Sequence, residues 1–326
     1  MTNSSLPKCQ KDLSAVKTPG FTYQPQTIQD FLYYRHCREF PLILDAPGKC
    51  EGDDDIFLLL VIKSSPVNFK YREVLRKTWA EERLYKGMWI RRVFITGTMT
   101  DVSERQRTNK LLRLEQRTYN DILQWDFNDT FFNLTLKQML FLEWMEKSCW
   151  NVHFLFNSND DIFANPDNMV EYLQSLKDND GGKHLFTGHL LTDPKPDRWL
   201  DSKYFLPFTV YYPDTYPPYC AGGGILLSFY TALSIHKISK FISYIPIDDA
   251  YMGMCLAETN LAPSSHSGWY APSRTLDTYD LCFLKELLVL HKFSPVQLNA
   301  LWNRIHDSNL ICGTLKKPLQ DLIFKW

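Results

Sequence analysis

Apolar and polar positions fall in blocks along this chain, and the blocks predict an α/β domain. Ile56 to Ile62 is an unbroken apolar run set between Asp53-Asp54-Asp55 and the turn-like Ser64-Ser65-Pro66. Such a run marks a strand buried on both faces, the habit of parallel sheets. A helix is predicted from about Phe69 to Glu82, directing Val74, Leu75 and Trp79 inward, then a strand from Val93 to Thr96 ended by Gly97. A helix over Arg105 to Arg117, a short strand over Ile122 to Trp125 and a helix over Leu136 to Lys147 complete the pattern to that point. His153 to Phe156 reads as a further strand. Asn165 and Pro166 then open a helix as N-cap and first helical residue, with Met169, Leu173 and Leu176 at i, i+4 and i+7. Alternating strands and helices of this kind make a sheet with crossovers. Residues 1 to about 28 are polar and carry Pro7, Pro19 and Pro25, which predicts a stem or linker ahead of a domain spanning 29–326.

Charge and cysteine usage narrow the class. With 36 Lys+Arg against 37 Asp+Glu the formal charge is −1, so a nucleic-acid partner, which needs a basic face, is not expected. No apolar run approaches the ~20 residues of a membrane-spanning helix. The eight cysteines include no closely spaced pair, which excludes CxxC zinc and redox motifs and leaves disulfides or buried thiols. Asn3-Ser4-Ser5, Asn128-Asp129-Thr130 and Asn133-Leu134-Thr135 are N-glycosylation acceptor sequences, and with the cysteines they favour a secretory compartment. The opening MTNSSLPKCQ has no charged and apolar leader.

Three acidic clusters compete for the chemistry. Asp53 to Asp55 precedes its strand, and acids there read as a solvated turn. Asp160-Asp161 follows a strand, where ligands of open α/β sheets bind; it reads either as a ligand for Mg²⁺ or Mn²⁺ or as a turn and helix cap. Asp248-Asp249 follows the apolar segment Phe241 to Ile247 and reads either as a general base in an apolar setting or as a helix cap. YPPYCAGGG (216–224) combines stiff prolines with glycines that permit close approach, or serves as a tight entry to a strand. Its neighbours Tyr211, Tyr212, Tyr216 and Tyr219 suit a sugar-binding wall.

At these residues the sequence resembles the luminal domain of the β-1,3-N-acetylglucosaminyltransferases, within the β-1,3-glycosyltransferase family (glycosyltransferase family 31). The resemblance runs from about Asp30 to Gly313. It is carried by DFLYYRHCREFPLILDAPGKC (30–50), FLLLVIKSSP (57–66), REVLRKTW (72–79), DILQWDFNDTFFNLTLKQMLFLEW (121–144), NDDIFAN (159–165), YPPYCAGGGILLS (216–228), PIDDAYMGMCL (246–256) and LVLH (288–291).

The resemblance implies a GT-A fold, with a Rossmann-like nucleotide-sugar half at about 53–165 continuous with an acceptor half at about 166–326. It implies inverting transfer of GlcNAc from UDP-GlcNAc to the 3-hydroxyl of a terminal galactose on core 1 O-glycan or polylactosamine chains. By carry-over Asp249 is the general base, and Asp161 with His291 holds Mn²⁺ (or Mg²⁺); His291 reads equally as an ordinary histidine. Lys63, Arg72, Arg76, Asn159 and Asp160 are expected at the donor, and Asp248, Tyr219, Gly222 and Gly223 at the acceptor. The family pattern also implies Cys50–Cys149 and Cys282–Cys312 disulfides, with Cys9–Cys37 and Cys220–Cys255 as further pairs. It implies a Golgi-lumen location behind a type II membrane anchor absent from this chain, and homo- or hetero-oligomers with other glycosyltransferases. Asn159 stands where the family has an acid, and Ala80, Ala221 and Ala250 are lesser departures. They admit a catalytically weakened paralogue that partners active enzymes as the alternative, and a β-1,3-galactosyltransferase as a second one.

Overall fold

The computed structural model describes residues 9–51, 55–270 and 280–312. Helix α1 (Gln26–Tyr34) and strand β1 (Leu42–Leu44) lead into β2 (Ile56–Lys63), α2 (Phe69–Arg76), β3 (Arg83–Tyr85), β4 (Met88–Thr98), α3 (Val102–Tyr119) and β5 (Ile122–Asn128). Next come α4 (Leu134–Ser148), β6 (Val152–Asn159), β7 (Ile162–Ala164), α5 (Pro166–Ser175), β8 (Phe186–Leu191), β9 (Tyr219–Ser228), α6 (Phe229–Ser239) and α7 (Asp248–Glu258). Strands β10 (Ser264–Ser265) and β11 (Trp269–Tyr270), helix α8 (Leu281–Glu286), β12 (Val289–His291) and α9 (Pro295–Ile305) follow.

The main sheet runs β1-β5-β4-β2-β6-β9-β8-β10, with β3 paired to β4. Its β5-β4-β2-β6 portion is parallel, each link made through a helix, and β9 and β8 extend it antiparallel. The run from Leu58 to Ile62 is fully buried because β2 lies mid-sheet with a layer on each face. Leu59 and Val61 join the core over α4, α6 and α7, while Leu58, Leu60 and Ile62 join the core under α2 and α9. A small sheet, β11-β12-β7, closes one side.

Several expected boundaries move, each for a local reason. The helix expected to reach Glu82 ends at Arg76, because Trp79 leaves it to bury its ring and donate its indole N–H to the Ile162 carbonyl at 2.9 Å. Gly97 does not end its strand, which continues to Thr98. A side chain there would fall 2.6 Å from the Phe127 carbonyl oxygen, so the glycine serves strand packing. Asn165 caps α5 with its side chain, accepting from the Asn168 N–H.

Residues 9–28 are not a free linker: Ala15, Phe21 and Ile28 form a buried cluster with Leu32. Disulfides join Cys9 to Cys37, Cys50 to Cys149 and Cys282 to Cys312. The Cys220–Cys255 pairing fails: both are buried free thiols. Cys220 donates to the Ser264 carbonyl, while Cys255 lies among Tyr251, Tyr244 and Arg38. No helix among the described residues is long and apolar enough to cross a membrane.

Helix α7 meets the start of β9 at Gly253, where an added Cβ would lie 2.6 Å from Tyr219 Cβ and 2.9 Å from the Pro218 carbonyl oxygen. Gly253→Ala is expected to cost about 1–3 kcal/mol through overpacking, read as a lowered urea midpoint with an unchanged slope.

Candidate active site

The site forms where the carboxyl ends of β2 and β6 meet the first turn of α7. Lys63 and Asn159 end neighbouring parallel strands in register, so their side chains emerge together. Helix α7 opens on Asp248 and Asp249, whose charges its N-terminal dipole favours. Lys63 is buried, and its Nζ lies 2.5 Å from Asp248 Oδ2. Burial alone would lower the Lys63 pKa, yet Asp248, Asp249 and Asp161 together hold it above the ordinary lysine range. Three carboxylates from two places in the sequence therefore share the field of one cation.

Tyr219, at the start of β9, closes one side of this cluster. Burial, then the charge of Asp249, pushes its phenol up to about 12. Its ring continues an aromatic series, with Tyr211 and Tyr216 centroids 4.8 Å apart and Tyr216 and Tyr219 centroids 6.0 Å apart. Gly222 and Gly223 follow in the same strand. Gly223 has φ 90, and a side chain there would meet Ile162 at 3.1 Å and Asn159 Nδ2 at 3.5 Å. It faces the Asn159 side of the site, not the tyrosines.

The Asp160-Asp161 turn is fixed from both directions. Asn68 donates to Asp160 at 2.8 Å, and Ser64 also bonds that carboxyl. Burial nonetheless raises the Asp160 pKa, and Asn68 and Ser64 offset part of the rise. Immediately afterwards β7 pairs antiparallel with β12, setting Ile162 opposite His291, and the Phe293 N–H bonds the Asp161 carbonyl at 2.8 Å. That register brings Asp161 beside His291 despite their separation in sequence. Burial lowers the His291 pKa, against the pull of Asp161, which keeps the imidazole neutral at pH 7. A carboxylate and a neutral imidazole are donors that suit Mn²⁺.

Arg72 and Arg76, expected to face a donor, turn their guanidiniums into the fold. Arg72 is 1% exposed and gives its N–H groups to Glu115 (2.7 and 2.9 Å), Ser64 Oγ (3.0 Å) and the Ser65 and Pro66 carbonyls (2.8 and 3.2 Å). Arg76 chelates Asp121 with two 2.9 Å bonds and also reaches Glu115, while Arg92 shares Asp121 at 2.8 Å. Both are spent on buried carboxylates. Arg72 thereby pins the 64–66 loop, whose Ser64 supports Asp160, and Arg76 holds the Glu115 that Arg72 also grips.

Sequence reasoning missed this support. It also missed Lys137, 2% exposed, which pairs with Asp129 at 2.7 Å and contacts the Ser64 carbonyl at 3.4 Å. The signal available was a lysine inside an otherwise apolar helical stretch, which demands a buried partner. Asp55 lies at the opposite end of β2, near His153, as a solvated turn would; Asp53 and Asp54 fall outside the described residues. Asn128 is exposed and accepts from Arg105, and half-buried Asn133 donates its amide to the Asn128 carbonyl at 2.8 Å. Asn3 lies outside the described residues.

A model of the galactosyltransferase family matches residues 70–267, a span that holds Arg72, the Asp160-Asp161 turn and α7. The chain belongs to this family. Human N-acetyllactosaminide β-1,3-N-acetylglucosaminyltransferase 3 is 48% identical over 311 residues, covering 94% of this chain and 82% of that protein. Mouse acetylgalactosaminyl-O-glycosyl-glycoprotein β-1,3-N-acetylglucosaminyltransferase is 42% identical over 315 residues, covering 94% and 80%. Among solved structures, the WbbM bifunctional glycosyltransferase aligns at 13% identity with a TM-score of 0.38, over 74% of this chain and 46% of that one. The chain is thus a glycosyltransferase, built on a mixed parallel and antiparallel sheet with helices on both faces.

Asp121, fully buried and held by two arginines, has its pKa lowered by their bonds and charge, which outweigh burial. A depressed carboxyl contributes stability above its unfolded pKa of about 4 and loses it as pH falls through the lower folded value. Asp121→Ala is expected to cost about 3–5 kcal/mol at pH 7 by stranding Arg76 and Arg92. Urea titrations from pH 7 to pH 3 should show the gap between wild type and variant narrowing only below about pH 4.

Proposed function

We propose that the chain transfers GlcNAc from UDP-GlcNAc to the 3-hydroxyl of a terminal galactose, with inversion, and that Asp249 is the general base. The observation that carries this reading is the first turn of α7. Asp248 is tied to Lys63 at 2.5 Å, which fixes the helix end, and half-buried Asp249 lies next to it, close enough to Tyr219 to raise its phenol. The donor and linkage are those in the names of the relatives at 48% and 42% identity.

One displacement satisfies the chemistry. The acceptor oxygen attacks the anomeric carbon as its proton passes to the Asp249 carboxylate, and the bond to the diphosphate oxygen breaks with both electrons leaving on UDP. A single carboxylate suffices, and the sugar inverts. Lys63 positions Asp248 and carries a fixed positive charge toward the diphosphate; Asn159 and Asp160 line the donor side. A divalent cation, Mn²⁺ or Mg²⁺, would be held by Asp161 and His291 and would stabilise negative charge on the departing diphosphate. Half-buried Tyr211 and Tyr219, packed on the buried Tyr216 ring between them, would supply flat faces for the acceptor galactose. In this reading 53–165 supplies most of the donor half and 166–326 the acceptor half, with His291 returning to face Asp161.

The three disulfides support a Golgi-lumen setting, because such bonds persist in oxidising compartments. Asn159, neutral where the family has an acid, keeps a second reading in play: a weakened paralogue that partners active enzymes.

Transfer assays on a galactose-terminated acceptor with Mn²⁺ test the proposal. Asp249→Asn should lower kcat by about 10²–10⁴-fold while UDP binding measured by calorimetry is retained; a variant as fast as wild type would exclude Asp249 as the base. UDP-GlcNAc should outpace UDP-Gal. If wild type is itself as slow as Asp249→Asn and Asn159→Asp restores turnover, the paralogue reading holds instead.

A further inference from the structure

A cavity of about 660 Å³ lies between α1, residues 35–41 and the passage from β5 to α4, within the ~300–1,000 Å³ span of small-ligand sites. The transfer chemistry does not use it. Its walls are aromatic: Phe31, Tyr34, Phe40, Phe127 and Phe132. Set among them are Arg35 and Arg105 against the carboxylates Asp30, Glu39 and Asp126. Arg105 is partly engaged, bonding the Met99 carbonyl and Asn128 Oδ1 at 2.8 Å and lying 3.7 Å from Asp126. The guanidinium of half-buried Arg35 makes no hydrogen bond among the described residues; burial lowers its pKa, with Asp12 opposing.

We propose that this cavity is a carbohydrate-binding pocket, distinct from the catalytic cluster, for a neutral β-linked disaccharide containing N-acetylhexosamine. Aromatic planes take the apolar faces of pyranose rings. Guanidinium donors and carboxylate acceptors in the same lining match hydroxyl and N-acetyl groups, each of which gives or accepts hydrogen bonds. An anion would meet three carboxylates against two cations, and a wholly apolar ligand would strand Arg35 and Glu39 away from water. Two sources offer the chemistry. One is the interior of an acceptor glycan, since the cavity sits at the carboxyl end of β5, two strands from Lys63 in the same sheet. The other is an N-glycan on Asn128, which lines the cavity itself. Only the first rests on the transfer reading.

Saturation-transfer NMR on the enzymatically deglycosylated chain, with N,N′-diacetylchitobiose and N-acetyllactosamine as separate probes, decides it. Chitobiose lacks galactose and so reports the cavity without the proposed acceptor site. Tyr34→Ala and Arg35→Ala are suitable variants, because Tyr34 is 45% exposed and Arg35 has no bonds to lose. The proposal expects at least one probe to bind wild type and to weaken by about tenfold or more in both variants, with UDP binding and Tm unchanged. Failure of both probes to bind, or binding equal in the variants, overturns it whether or not the chain transfers sugar. If chitobiose binds only after deglycosylation or in Asn128→Gln, the protein's own glycan is the occupant; if lactosamine binds the glycosylated chain equally, the acceptor is.

Discussion

A single buried cation, Lys63, is the constraint on which the site depends. Taking an ammonium out of water costs several kcal/mol unless it is closely paired, and here Asp248 pairs it at 2.5 Å with Asp249 and Asp161 nearby. The pairing links the end of a central parallel strand to the first turn of a helix 185 residues later. It thereby sets where Asp249 stands relative to the Asp160-Asp161 turn. The carboxylates could not gather at this density without it, and Lys63 would not tolerate burial without them.

Behind this pair lies a second tier of charge whose work is mechanical. Arg72, Arg76 and Arg92 share Glu115 and Asp121 below the 64–66 loop, and Lys137 with Asp129 grips that loop from the other side. Ser64 and Asn68 pass the restraint to Asp160. A loop at the end of a buried strand is thus held rigid, as the diphosphate site proposed above would require.

What was legible in the sequence follows from how local each signal is. The β2 strand and the capped α5 helix were readable because a buried run and an Asn-Pro start are local patterns. That Asp160-Asp161 stands at a strand end was readable because an apolar run stops just before it. The buried partners of Arg72 and Arg76 were not legible: two cations at i, i+4 look alike whether they face a phosphate or a buried acid, and Glu115 and Asp121 lie 39 and 45 residues away from Arg76. The Cys220–Cys255 guess failed for the same reason, since spacing does not say which way a thiol points. Residues 9–28 deceived through composition, because three buried side chains among many polar ones suffice to fold a segment that a disulfide already anchors. The meeting of Asp161 with His291 depends on the register of two short strands, which residue periodicity does not encode.

The most direct measurement is a double-mutant cycle on Lys63 and Asp248. Stability to urea would be compared for wild type, Lys63→Met, Asp248→Asn and the pair. If the ion pair anchors α7 to the sheet edge, the double variant will be more stable than the sum of the single losses allows, by about 1–3 kcal/mol of coupling. Additive losses, with coupling near zero, would contradict the account.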